Sequence, residues 1–219
     1  IKTYKRDCGR INSENKINRA ARMQLTRAFF VANKFKGERF WYPFSLDSRG
    51  RFYPIPMSSP LHPQGPSYAK ALLTFADGKP IENEDQKRAL AIHGANTWGE
   101  DKVSFERREN WVVENEDMIL KVYEDPIDCT WWEDADDPWG FLAFCEAWGR
   151  LLEKGFGCVC SLPVAADGSN NGLQIYSLLL RDPVGAKATN VSVSPQPMDI
   201  YQEVADLTTK DRTRMPTSI

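Results

Sequence analysis

The clearest pattern along the chain is an apolar run, a polar turn and a helical stripe between residues 158 and 182. The run from Val159 to Ala166 is mostly apolar and stops at Asp167, where a Gly-Ser-Asn-Asn-Gly turn begins. Helical spacing follows, at Leu173, Tyr176, Ser177 and Leu180. The pattern predicts a strand, a turn and a helix, with Asp167 where the strand ends.

Two interpretations of Asp167 fit this local pattern. An Asp followed by Gly and Ser at a strand-helix junction is most often a turn residue or a helix N-cap. The same position also lies near free backbone N–H groups, and Gly168 would let another group approach closely. Such a carboxylate suits a divalent cation, so the local pattern leaves both interpretations open.

Helical periodicity recurs in several other parts of the chain. It predicts helices over residues 12–36, 83–98, 105–123, 140–153 and 198–207. Gly99, Pro126 and Gly155 supply stop signals for three of them. After Asp182-Pro183 we expect a Val/Ser/Pro linker, and from Thr208 a polar, frayed tail.

Residues 40–56 differ in composition from the rest of the chain: they are rich in aromatic residues and interrupted by prolines. Within this segment, residues 47–51 (Asp-Ser-Arg-Gly-Arg) predict a turn between two extended apolar pieces. Gly50 allows Arg49 and Arg51 to lie close to a neighbouring backbone. Two guanidinium groups beside aromatic rings suit phosphate binding and base stacking. A surface hairpin whose arginines stay in water fits the same pattern.

Composition limits the class of protein and the kind of metal site. With 219 residues, 42% of them hydrophobic, the chain can bury a sizeable core in one large or two small domains. No run of about 18 apolar residues and no secretory pattern is present, so we expect a cytoplasmic protein without membrane insertion. Five cysteines without zinc or redox spacing and only two histidines disfavour nitrogen or sulfur ligation. A metal here would be a hard cation held by oxygen.

The charge is distributed unevenly, although the net charge is only −2. Residues 1–51 carry 13 basic and 4 acidic side chains, whereas residues 82–139 carry 17 acidic and 6 basic ones. A polyanion would be attracted to the first segment and repelled by the second.

Taken in order, several motifs resemble the single-subunit RNA polymerases of the bacteriophage T7 and mitochondrial type. The motifs are Asp47-Ser-Arg-Gly-Arg-Phe-Tyr53, Lys70-Ala-Leu-Leu-Thr, Gly78-Lys-Pro-Ile81, Ile92-His-Gly-Ala-Asn96, Asp101-Lys-Val103, Trp131-Trp132, Phe141-Leu-Ala-Phe-Cys145, Ser161-Leu-Pro163, and Asp167-Gly-Ser with Gly172, Gln174 and Leu180-Arg-Asp182. Each piece is common, but their shared order is specific. It favours the metal-binding interpretation of Asp167.

The resemblance implies a fold and a site. The fold would be mixed α/β and helix-rich. Residues 1–38 would form a basic helical segment, and residues 39–185 would form the first part of a right-hand polymerase palm. Residues 186–219 would form a linker and a short helix toward the fingers. Asp167 looks like the first of two metal-binding aspartates, with the Gly168 carbonyl as a further ligand of Mg²⁺ in a two-metal nucleotidyl transfer. The remaining matches are Arg49, Arg51, Tyr53 and Lys70 for the RNA–DNA hybrid, and Lys102 for phosphates of the incoming nucleoside triphosphate.

The chain also departs from the family pattern. The fingers helix and the hairpin with the second catalytic aspartate are missing, and Ile175-Tyr176 stands where the family often has His-Phe. One carboxylate cannot hold two metals, so this polypeptide alone should be inactive. A fragment, an incompletely described chain and a naturally split polymerase all fit. A split resembling the heterodimeric RNA polymerase II of phage N4-like viruses fits best, because the polar tail would fall at a palm–fingers linker.

The resemblance therefore predicts a subunit or fragment of a DNA-directed RNA polymerase. It would act on a DNA template with nucleoside triphosphates and a second subunit, in the bacterial host cytoplasm if phage-encoded. Two rivals remain: a right-hand DNA polymerase fragment, whose first-aspartate motif normally continues differently, and a non-catalytic nucleic-acid-binding or assembly subunit. Promoter specificity and accessory factors are not encoded in these motifs.

Overall fold

Helices dominate the computed structural model, which describes residues 2–55, 59–164, 170–194 and 197–214. The helices in these ranges are α1 Lys2–Lys34, α2 Ser67–Ala71, α3 Glu84–Trp98, α4 Phe105–Glu114, α5 Glu116–Glu124, α6 Pro138–Lys154, α7 Asn171–Leu180, α8 Pro183–Ala188 and α9 Ile200–Arg214. The strands are β1 Phe44–Leu46, β2 Phe52–Pro54, β3 Lys79–Ile81 and β4 Cys158–Cys160. A 3₁₀ turn covers Thr130–Asp134. The helix-rich mixed α/β class predicted from the sequence is confirmed.

The central helices begin where polar side chains can cap them. Asn83 accepts a hydrogen bond from the Gln86 N–H at 3.0 Å at the start of α3. Asp137 accepts one from the Gly140 N–H at 3.1 Å at the start of α6. At the other end of α3, Gly99 has φ +122°, a conformation that favours glycine. Local sequence signals therefore fix the bounds of α3 and α6.

α6 is the centre of the hydrophobic core. Its buried residues Phe141, Phe144, Cys145, Trp148 and Leu151 recur with helical spacing and form one face. The helix packs against α2, α3, α5 and the 3₁₀ turn. Further core residues come from the helices around it: Leu90, Ala91, Ala95, Trp111, Val112, Ile119 and Val122. Residues 84–154 thus form a single helical core.

Two short antiparallel ladders complete the fold. β1 and β2 pair as a hairpin in which Phe44 faces Pro54 and Leu46 faces Phe52. β3 and β4 pair with Ile81 opposite Cys158, so this ladder joins the chain before α3 to the chain after α6. The hairpin predicted around residues 47–51 is confirmed.

α1 is a long basic helix that is exposed along most of its length. Ala28 is fully buried, and Leu25, Val31 and Ala32 are partly buried. Among the described side chains of α1, the fully buried position therefore lies in the C-terminal part of the helix. In the described part of the chain, no helix is both long and apolar enough to cross a membrane.

Several predicted boundaries were wrong, and local hydrogen bonds explain two of them. α1 begins already at Lys2, well before residue 12. The helix predicted over 105–123 is broken at Asn115, whose side-chain amide donates to the Trp111 carbonyl at 2.8 Å. The linker expected after Asp182 begins with α8, because the Asp182 carboxylate accepts the Val184 N–H at 3.0 Å as an N-cap.

The last two differences concern the strand and the tail. The strand expected to reach residue 166 is regular only to Cys160. The tail predicted to fray from Thr208 continues as helix to Arg214, and the Thr208 hydroxyl donates to the Val204 carbonyl at 2.7 Å.

Candidate nucleic-acid interface

The turn between β1 and β2 is organised around the carboxylate of Asp47. One oxygen accepts the backbone N–H of Arg49 at 2.8 Å and that of Arg51 at 2.9 Å. The Asp47 N–H also donates to the Arg51 carbonyl at 2.9 Å, and Gly50 takes φ +76°. The hydrogen bond from the Arg51 N–H is the largest of the effects that lower the pKa of Asp47. The ionised carboxylate therefore holds the shape of the turn.

The two arginines of this turn have different surroundings. Arg49 donates through Nε to Asp47 at 3.0 Å and through Nη2 to the Tyr53 hydroxyl at 3.1 Å. The Arg51 guanidinium is exposed and has no hydrogen bond or ion pair among the described residues. The turn thus holds one arginine against the hairpin and leaves the other available to an external anion.

Large apolar side chains lie exposed around the hairpin. Trp41 is 78% exposed, and Phe44 and Phe52 are 51% and 64% exposed. Exposed aromatic rings beside a free guanidinium form a surface suited to phosphates and unstacked bases. The prediction of a basic, aromatic-edged turn agrees with this geometry.

Hydrogen bonds connect the hairpin to the segment that carries Lys70. The Gln64 side chain donates to the Phe52 carbonyl at 3.4 Å, and the Tyr42 hydroxyl donates to the Leu61 carbonyl at 3.1 Å. These contacts bring the loop before α2 against the hairpin. Lys70 itself lies exposed on α2.

α2 is anchored to the core at its first turn. The Ser67 hydroxyl donates to the Asp137 carboxylate, and Ala69 is fully buried. The same carboxylate caps α6, and the Asp137 N–H donates to the Thr97 carbonyl at 2.9 Å. Asp137 therefore joins α2 and α6 through its carboxylate and α3 through its backbone N–H.

Lys102 lies in the loop between α3 and α4. Its amine is 3.0 Å from a carboxylate oxygen of Asp101, and the two side chains are 72% and 48% exposed. The buried guanidinium of Arg108 donates to the carbonyls of Asp101 and Val103 on either side of Lys102, at 2.7 and 3.0 Å. The lysine is exposed while its backbone is held.

Asp167 and Gly168 lie outside the described residues. The chain is described up to residue 164 after β4 and again from Asn170, which has φ +60° and precedes α7. The predicted helix after the turn is confirmed as α7, although Leu173, Tyr176 and Leu180 are exposed by 48%, 64% and 75%. Among the described side chains, no group of three or more His, Cys, Asp or Glu residues could hold a metal ion.

The structure brings together some of the predicted site residues and reveals two that sequence analysis missed. Arg49 and Tyr53 are in direct contact. Within the described ranges, no side-chain hydrogen bond or ion pair joins Lys70 or Lys102 to the hairpin. Arg108 and Asp137 were missed as anchors. Helical spacing could have revealed Arg108, since it shares a buried face with Trp111 and Val112.

These features define a helix-rich α/β protein with a basic, aromatic-edged surface, and its sequence is similar to known polymerases. The protein-family model for DNA-dependent RNA polymerase matches residues 80–216. Over 206 residues the chain is 41% identical to a DNA-directed RNA polymerase of Enterobacteria phage T3, covering 94% of this chain and 23% of that protein. The chain is 39% identical to T7 RNA polymerase of Escherichia phage T7 over 206 residues, which again cover 94% of this chain and 23% of that protein. A mitochondrial DNA-directed RNA polymerase of Neurospora crassa is 38% identical over 82% of this chain and 13% of its own length.

The chain belongs to the DNA-dependent RNA polymerase family. This confirms the resemblance that the sequence motifs indicated. The chain spans only 23% of the length of the phage T3 and T7 relatives.

Proposed function

We propose that this chain forms the first part of a polymerase palm and takes part in DNA-templated RNA synthesis from nucleoside triphosphates. The observation that carries the proposal is the collinear family match, which continues through the segment containing Asp167. The Arg-containing hairpin lies outside the matched range but within the aligned phage sequences, whose alignment covers 94% of the chain. The aligned sequence thus includes both the hairpin and the segment that contains Asp167.

In this proposal Arg51 contacts the phosphate backbone of the RNA–DNA hybrid. Its guanidinium is exposed and without a partner among the described residues, and a guanidinium suits bidentate phosphate binding. Arg49 stiffens the turn through Asp47 and orients Tyr53, whose ring lies near the hybrid. Lys70 adds a second cationic contact to the hybrid, and Lys102 contacts phosphates of the incoming nucleoside triphosphate.

Asp167 and the Gly168 carbonyl are proposed ligands of Mg²⁺. A carboxylate and a backbone carbonyl are hard oxygen donors, which is the chemistry that Mg²⁺ prefers. When bound, Mg²⁺ favours ionisation of the RNA 3′-hydroxyl and neutralises charge on the departing pyrophosphate. The protein's own contribution is to hold the substrates in line: Lys102 at the triphosphate and Arg51 at the hybrid.

The second carboxylate and the fingers would come from polypeptide outside these 219 residues. A separate subunit, as in phage N4-like polymerases, stays a prediction that the comparisons do not support. The division into segments 1–38, 39–185 and 186–219 also stays a prediction, as does action in the bacterial host cytoplasm.

The decisive experiment replaces Asp167 by Asn in the polymerase that contains this chain. We expect Mg²⁺-dependent extension of RNA on an RNA–DNA scaffold to be lost while scaffold binding persists. Asp134→Asn removes the same charge from an exposed position and serves as the matched control. Full extension by Asp167→Asn would refute the assignment.

Two further measurements address the rival functions. Side-by-side incorporation of ribonucleotides and deoxyribonucleotides tests for a DNA polymerase, which would prefer the latter. Fe²⁺-directed cleavage of the protein near residue 167 tests for a metal site. Absence of such cleavage together with retained scaffold binding would favour a non-catalytic subunit.

The hairpin is tested by comparing Arg51→Ala with Arg49→Ala. We expect Arg51→Ala to weaken scaffold binding and to reduce the slope of log affinity against log salt by about 1, the loss of one phosphate contact. Arg49→Ala should weaken binding with a smaller change in slope, because its guanidinium bonds to Asp47 and Tyr53. Unchanged binding by both variants would return the turn to a purely structural role.

A further inference from the structure

The most constrained charged side chain in the described structure with no assigned role is Arg108. It lies on the first turns of α4 and is only 7% exposed. Burial lowers the pKa of its guanidinium from the ordinary value. Among the described residues no carboxylate lies within salt-bridge distance of it; the Asp101 charge acts from further away and opposes the effect of burial, and the hydrogen bonds of the guanidinium go to neutral oxygen acceptors.

Those acceptors surround one residue of the polymerase motif. Nη2 donates to the Asp101 carbonyl at 2.7 Å, and Nε donates to the Val103 carbonyl at 3.0 Å. Nη1 donates to the side-chain oxygen of Asn96 on α3 at 2.8 Å. The guanidinium thus bonds to both neighbours of Lys102 and ties the loop to α3 and α4.

The surroundings of Arg108 restrict its own movement. The Phe105 ring lies over the guanidinium, 5.0 Å from its carbon to the ring centroid. The preceding residue, Arg107, is different: it is exposed and pairs with Glu114 at 2.7 Å. Two adjacent arginines therefore separate into a loop anchor and a surface ion pair.

We propose that Arg108 is a positioning residue that holds the backbone of Lys102 so that its amine reaches the triphosphate of the incoming nucleotide. The inference rests on the proposed function of Lys102. Because both flanking carbonyls are bonded to one rigid planar group, the amine can move only through its own side-chain torsions. Without Arg108 the loop would have to satisfy two carbonyls in other ways and would lose its single arrangement.

The test compares Lys102→Met, Arg108→Met and the double variant in the complete polymerase, with steady-state extension at varied nucleoside triphosphate concentration. Lys102→Met should raise KM about 10- to 100-fold, as expected for one charge-assisted contact. Arg108→Met should raise KM about 5- to 50-fold with little change in kcat, because the triphosphate is bound alike before and during reaction. The double variant should be no worse than Lys102→Met. Arg107→Met is the matched control and should leave KM within about twofold.

Each outcome is informative about a different step. Unchanged KM for Arg108→Met beside a raised KM for Lys102→Met would overturn the positioning role. Effects that multiply in the double variant would overturn it too, since Arg108 would then act independently. Unchanged KM for Lys102→Met would instead remove the proposed phosphate contact and the inference with it. If thermal melting shows that Arg108→Met does not fold, Asn96→Ala replaces it in the same comparison. Asn96→Ala alone should then raise KM, and the double variant with Lys102→Met should show no further increase in KM.

Discussion

Replacing Asp137 by Ala should destabilise the junction between the core and the helix that carries Lys70. The Asp137 carboxylate accepts the Gly140 N–H at the start of α6 and the hydroxyl of Ser67 at the start of α2. Alanine can accept neither bond. The substitution therefore removes a helix cap and a contact between two elements at once.

The size of the effect follows from these two bonds. Loss of an N-cap costs about 1 kcal/mol, and loss of a hydrogen bond to a carboxylate costs about 1 to 2 kcal/mol at a partly buried site. The expected decrease in unfolding free energy is about 2 to 3 kcal/mol. For a chain of this size that corresponds to a fall in Tm of about 4 to 12 °C. Asp137→Asn keeps an acceptor and a good capping residue, so it should cost less than about 1 kcal/mol.

The assay is thermal or urea unfolding of the purified polypeptide followed by circular dichroism. Asp136→Ala is the control, because the Asp136 side chain makes no hydrogen bond within the described residues. Ser67→Ala measures the second bond alone, and the double variant with Asp137→Ala should lose less than the sum of the two. Equal losses for Asp136→Ala and Asp137→Ala would refute this account of the junction.

Three further predictions concern buried groups. Burial lowers the pKa of His93, so the unfolded state binds a proton that the folded state excludes. The free energy of unfolding should therefore fall as the pH drops below about 6.5. His93→Gln should reduce this dependence of the unfolding free energy on pH in unfolding titrations. A side chain added at Gly94 would overlap the Phe144 ring, so Gly94→Ala should lower the urea midpoint, at a net cost of about 1 to 2 kcal/mol despite its helix propensity. A higher midpoint would contradict that packing. The Cys145 thiol is fully buried, and burial raises its pKa, so it should react with a thiol reagent only on unfolding; native labelling at Cys145 would disprove this.

Sequence patterns located the central helices well because local signals set their ends. The apolar spacing of α6 and its stop at Gly155 agree with the structure. Patterns did less well where a polar side chain competes for the backbone, as Asn115 does at the break between α4 and α5. Periodicity continues through such a break, so it cannot reveal it.

The types of residue that form the site were predictable from the sequence, but the contacts that hold them in place were not. The turn sequence predicted that Arg49 and Arg51 lie together on a hairpin. It could not say which of them is free, because that depends on the contact between Arg49 and Tyr53. Arg107 and Arg108 are identical in type and adjacent. Helical spacing places Arg108 on the buried face, but only the structure shows the three oxygens to which its guanidinium donates.

The basic residues proposed to contact nucleic acid or nucleotide share one physical requirement. A cation that binds phosphate must be accessible to the ligand, yet it must be held in place to bind specifically. The protein meets both demands by fixing the backbone that carries each cation while leaving the cation itself exposed. The exposed cations are Arg51, Lys70 and Lys102, and their anchors are Asp47, Asp137 and Arg108, respectively. Because each anchor bonds to the backbone or to a neighbour of its cation, substitutions at the anchors should weaken binding while the phosphate-contacting cation itself stays on the surface. That difference separates an anchor from a contact residue in any measurement of salt dependence.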